Sequence, residues 1–62
     1  MLYHIYGKSE NMRQFKALDL TEGCFVNCLM YATLLDSKEI ALKICNELSS
    51  LNPKLTFEVR KA

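Results

Sequence analysis

Cys24, Cys28, Cys45 and His4 carry the most obvious chemistry in this chain. Cys24 and Cys28 stand four apart, a spacing that puts both on one face of a helix or of a strand. Together with Cys45 and His4 they supply the ligand types of a Cys3His zinc site. Structural zinc sites use tight Cys-x2-Cys pairs, however, and this chain has a single looser pair. His4 falls within a strand pattern, and Cys45 falls on the flank of a helical apolar face. A free cysteine otherwise packs as a small buried hydrophobe. The expectation is therefore three core cysteines, with no metal and no cofactor.

His4 is the only histidine, so any histidine-dependent catalysis must use it. A nucleophile such as Cys24 or Ser9 beside it would need an elbow motif or a supporting spacing, and neither is present. The simpler reading is a strand histidine at a sheet edge or surface. Gly7-Lys8-Ser9 matches the last letters of a phosphate-binding loop, but the first glycine of that motif is missing and no helix start follows. No catalytic residue is assigned, and the expectation is a protein that is not an enzyme.

Aromatic and basic residues give a third possibility. Tyr3, Tyr6, Phe15 and Tyr31, with Lys8, Arg13, Lys16 and Arg60, could form a sheet face on which single-stranded bases stack. Tyr3, Tyr6, Arg13, Lys16 and Arg60 are the candidate nucleic-acid surface. Against it stands the charge balance: eight basic residues and seven acidic ones leave a net charge of +1, whereas nucleic-acid modules carry a strong basic excess.

The elements that would position these residues are legible to different degrees. Leu2–Tyr6 is strand-like, Gly7–Asn11 has turn composition, and Gln14–Leu20 reads as a second strand, so the chain opens on a hairpin. Thr21-Glu22-Gly23 breaks the pattern. Cys24–Leu35 is apolar on both faces and fits a strand or a helix. The preferred reading is a short helix or irregular segment over 22–28, then a strand over 30–35.

The second half is clearer. Asp36 with Glu39 three residues on has the form of a capping box. Beyond it, Ile40, Ala41, Ile44, Leu48 and Leu51 share one face of a helix over 37–51. Leu42 and Cys45 lie off that stripe. Glu39, Lys43 and Glu47 form a separate charged stripe at i,i+4 spacing. Pro53 ends the helix, and Leu55, Phe57 and Val59 alternate with Thr56, Glu58 and Arg60 in a closing strand over 55–60. Strands flanking a helix of this length run parallel if they share a sheet, with a right-handed crossover.

At 62 residues, half of them apolar, the chain is a single domain over 1–62 with a small core. Met1 runs directly into Leu2–Tyr6 without a basic leader, and the longest apolar run, Cys28–Ala32, is too short to span a bilayer. Free thiols in a reducing cytoplasm are the expectation, with no membrane association. One helix covers only one face of a sheet. The apolar residues of the first strands and of 25–35 exceed what that helix can bury, so the second face needs a cover: the 22–28 segment, a second copy of the chain, or a partner protein.

The stretch Ala32-Thr33-Leu34-Leu35-Asp36-Ser37-Lys38-Glu39-Ile40-Ala41, with the helix and Leu55–Arg60 after it, resembles a recurrent pattern in small uncharacterised bacterial and bacteriophage proteins. There a strand leads through a Ser/Thr-Lys-Glu cap into a helix and a closing strand. Leu34 or Leu35 stands where many such sequences carry phenylalanine. The resemblance covers about half the chain. It implies a compact α+β accessory protein and transfers no site residues.

The sequence thus predicts an α+β fold: a sheet of three to four strands with one main helix over 37–51 packed on a face. The expected function is a non-enzymatic interaction or accessory protein, of phage or mobile-element type, that binds a protein partner or a second copy through an apolar sheet face. The alternative is a small nucleic-acid-binding module using the sheet's aromatic and basic residues.

Overall fold

A computed structural model describes all 62 residues, Met1–Ala62. The chain folds as an α+β domain, a four-stranded antiparallel sheet with one long helix. The strands are β1 (Tyr3–Lys8), β2 (Lys16–Asp19), β3 (Cys24–Val26) and β4 (Thr56–Lys61), in the order β3-β2-β1-β4. The helix, α1 (Lys38–Leu51), packs on β4 and β1.

β1 is the spine. It pairs with β4 along its whole length, from Tyr3 opposite Lys61 to Lys8 opposite Thr56. Its pairing with β2 is confined to Tyr6 opposite Ala17 and Gly7 opposite Lys16. Ile5 is 1 % exposed and is the one large side chain fully enclosed. Gly7 has no room for more than hydrogen: a Cβ there would stand 2.8 Å from the Phe25 ring and 3.0 Å from that of Phe57. These two rings close over the backbone of β1 and join the outer strands across it.

The helix begins one residue later than the capping-box reading implies. Ser37, not Asp36, is the N-cap, and its side chain accepts a hydrogen bond from the Ile40 amide. Glu39 is then one position short of where a reciprocal bond would form. The inward line keeps Ala41 and Leu48 of the expected stripe but takes in Cys45 and Asn52 and leaves out Ile40 and Leu51. Ala41 is fully buried, whereas Ile40 and Leu51 are 52 % and 78 % exposed. At about 100° per residue, those two lie well to one side of the Ala41–Cys45 line. Asn52 closes the helix, its backbone and side-chain N–H groups both donating to the Leu48 carbonyl.

The middle of the chain departs most from expectation. Residues 24–26 form a strand rather than a helix, and residues 30–35 form no strand. Asp19 and Gly23 cause the first difference. The Asp19 carboxylate accepts from the amides of Thr21 and Glu22, its carbonyl accepts from Gly23, and Gly23 takes a left-handed conformation at φ 71°. That turn reverses the chain into a β2–β3 hairpin. After it, Leu29–Tyr31 makes a 3₁₀ turn, and Leu35 makes a single antiparallel bridge to Tyr3. β1 and β2 diverge beyond Tyr6 and Ala17, and the 33–35 segment fills the gap between them. Leu35 and β4 both run antiparallel to β1, on its two sides, so they run parallel to each other with β1 between.

Candidate functional site

Residues 29–35 and the side chains they touch form the most distinctive feature outside the core. Thr33 fastens the segment at three points. Its amide donates to the Leu18 carbonyl at 3.1 Å, and its Oγ1 accepts from the Leu20 amide at 2.8 Å. Its carbonyl accepts from His4 Nδ1 at 3.0 Å. Leu35 adds two backbone bonds with Tyr3 at 2.7 and 2.9 Å, and Ala32 is buried. His4 is therefore not an edge or surface residue: it is 4 % exposed, on a central strand, with its ring edge-on to Tyr6. The proton on Nδ1 is committed to a carbonyl, which fixes the ring.

This anchoring holds the intervening side chains outward. Leu29, Met30, Tyr31 and Leu34 are 53–79 % exposed, so most of the apolar surface of six consecutive residues faces solvent. The 22–28 segment cannot cover the second sheet face, because 24–26 belongs to the sheet itself. The 29–33 turn partly does so. Leu29 shares a recess of about 260 Å³ with Tyr6, Phe15, Ala17 and Val26, which lie on the face away from the helix.

The five candidate nucleic-acid residues are not gathered into one surface. Strand alternation places Tyr6 and Arg60 on the face away from the helix, and Tyr3 and Lys16 in register with Ile5 and Gly7 on the other. Arg13 is exposed in the β1–β2 loop. The Arg60 guanidinium lies 4.4 Å from the centre of the Tyr6 ring and 5.2 Å from that of Phe15, and it also bonds the Glu58 carboxylate. The Tyr6 face is thus occupied by Arg60, which weakens its availability to a base. Phe15 and Lys8 join this cluster, with the Lys8 ammonium 6.0 Å from the Phe15 ring.

The cysteines divide two ways. Cys45 is buried on the inward line of the helix, not on its flank. Cys24 and Cys28 are exposed, contrary to the core reading, because they sit at and just beyond the short edge strand β3, which nothing covers from outside. Burial first, and then the negative charge of Glu58, pushes the Cys45 thiol above its ordinary range, which disfavours its thiolate. No group of three or more His, Cys, Asp or Glu side chains stands close enough to hold a metal ion. No helix is long and apolar enough to cross a membrane.

The anchored turn was missed in the sequence because its signals are single side chains, Thr33 and His4, rather than a periodic pattern. Asp19 with Gly23 four residues on was the available sign of the hairpin that precedes it. No protein-family model matches this chain, and no curated protein or solved structure shows significant similarity to it.

Proposed function

We propose that this chain is a small non-enzymatic interaction protein that presents the outer surface of residues 29–34 to a protein partner. The observation that carries the reading is the contrast within one segment. Ala32, Thr33 and Leu35 are fixed to β1 and β2, while Leu29, Met30, Tyr31 and Leu34 are held out to water. An exposed apolar cluster on a fixed backbone loses little conformational entropy on binding. It also exceeds what scattered surface hydrophobes would leave in one place. The enclosed His4, with Nδ1 engaged, fits a structural histidine better than a general base. The accessory-protein resemblance is compatible with this role, in a phage or mobile-element setting and in the cytoplasm.

A photo-crosslinking residue at Met30, with the same residue at Glu47 as control, tests the proposal in the native host. A discrete protein adduct at Met30 that survives high salt, and none at Glu47, is the expected result. Equal labelling at both positions would sink the reading. Adducts to nucleic acid that vanish as salt rises would favour the base-stacking alternative.

A further inference from the structure

β4 is a long edge strand whose sequence is complementary to itself. The amide of Ala62 donates to the Leu2 carbonyl, and Tyr3, the next residue of β1, turns its backbone bonds to Leu35 on the other side. Antiparallel pairs alternate between bonded and non-bonded. Thr56, Glu58 and Arg60 therefore direct their backbone groups to β1, and Phe57, Val59 and Lys61 direct theirs outward. Nothing in the chain pairs with those outward groups, because β4 ends the strand order. At the other end of the sheet, β3 is a three-residue strand and offers far less.

We infer that β4 pairs antiparallel with β4 of a second copy of this chain, about a two-fold axis at Val59, making one continuous sheet through both molecules. The register follows from charge. With Val59 opposite the second copy's Val59, the outward groups of Phe57 meet those of Lys61, so every outward N–H and C=O from 57 to 61 is paired. Glu58 then stands opposite the second copy's Arg60, and Arg60 opposite its Glu58. These are non-bonded pairs, the positions at which facing side chains come closest. Each molecule already joins its own Glu58 to its own Arg60, so the dimer completes a ring of alternating charges. The neighbouring registers set Glu58 against Glu58, or Arg60 against Arg60, and both are repelled. A shift to Phe57 sets Glu58 opposite Thr56, so it loses both Glu58–Arg60 pairs as well as the outward pairings of Lys61. The docking edge lies across β1 from the 29–34 turn, and the inference does not rest on the function proposed for that turn.

Sedimentation of the full chain across a concentration series tests this, with three altered chains. Glu58→Lys alone and Arg60→Glu alone each place like charges across the axis and should weaken the dimer on the order of tenfold or more. Mixed in equal amounts, the two chains oppose Lys to Glu and Arg to Glu, so a mixed dimer should return. A synthetic chain N-methylated at Val59 keeps every side chain but loses one outward donor and blocks the edge. It should be monomeric with an unchanged circular dichroism spectrum. A wild-type chain that stays monomeric at millimolar concentration would overturn the inference. So would a dimer that persists after N-methylation, which would place self-association elsewhere without touching the reading of residues 29–34. Should either charge variant fail to fold, the N-methylated chain decides alone.

Discussion

Where the helix packs on β1 and β4, Ile5, Ala41 and Cys45 are buried, and β1 and β4 pair over six consecutive positions. Over β2 and β3 only the end of the helix reaches, through Leu48 and the Asn52 cap. There Leu18, Phe25, Leu48 and Leu55 border a cleft of about 170 Å³, and β2 alone pairs with β1, at only two positions. Apolar packing and an uninterrupted ladder hold the first region. The second relies on individual side-chain bonds to backbone, from Thr33, His4 and Asp19. A chain this short buries one full core layer, and the remainder of its sheet must be fastened residue by residue. The proposed docking surface belongs to the second region, where a partner would add the burial that the helix does not supply.

The largest effect that separates the regions is a cavity in each. Ile5→Ala should cost about 2–5 kcal/mol, comparable to the whole stability of a domain of this size, roughly 3–9 kcal/mol. Thermal melts should show little or no folded Ile5→Ala protein. Leu18→Ala, beside an existing cleft, should leave a cooperative transition at lower temperature; an equal loss in both variants would erase the distinction between the two regions.

Next in size is the loss of one fastening. Thr33→Val removes the Oγ1 that accepts from the Leu20 amide, at a cost of about 1–3 kcal/mol for the group left unpaired. Hydrogen exchange should quicken over β2, β3 and 29–35, with β4 and α1 little changed beyond the general loss of stability. Acceleration confined to α1 instead would show that the segment is held some other way.

The Cys45 thiol yields a pH-dependent difference. Its folded-state pKa is raised by burial and by Glu58. Its contribution is therefore complete below the ordinary thiol range and is lost as pH rises through that range toward the folded value. Denaturant titrations should show wild type losing more stability than Cys45→Ala on alkaline titration; parallel curves would refute the assignment. Thiol reagents at neutral pH should label Cys24 and Cys28 rapidly and Cys45 only on opening. The smallest effect is at the helix start, where Ser37→Ala should cost about 1 kcal/mol, visible as a small shift in a chemical melt.

The difference between the regions also accounts for what could be read from the sequence. β1, β2, α1 and β4 were legible because burial on one side of a strand or helix writes a period into the residues, as in Phe57 and Val59 or Ala41 and Leu48. Even there the cap moved by one residue, since Asp36 and Ser37 are both good caps and only the chain's entry into the helix selects between them. Residues 24–35 were not legible by that means. Their structure is set by the Asp19–Gly23 turn and by Thr33 reaching β2 and His4, and such bonds join residues far apart without leaving a period. The candidate surface fell in this stretch, so its exposed side chains could not be told from core. The nucleic-acid set failed to gather for a related reason: alternation on β1 sends Tyr3 and Tyr6 to opposite faces.

Residue-resolved native-state hydrogen exchange tests the central claim most directly, that a packed scaffold carries a more weakly fastened, partner-facing region. The amides of Tyr6, Glu58 and Cys45 should exchange only through global unfolding. Those of Leu20 and Thr33 should exchange through a smaller opening at lower free energy. One common free energy for all five, or greater protection at Leu20 and Thr33 than at Cys45, would contradict the account.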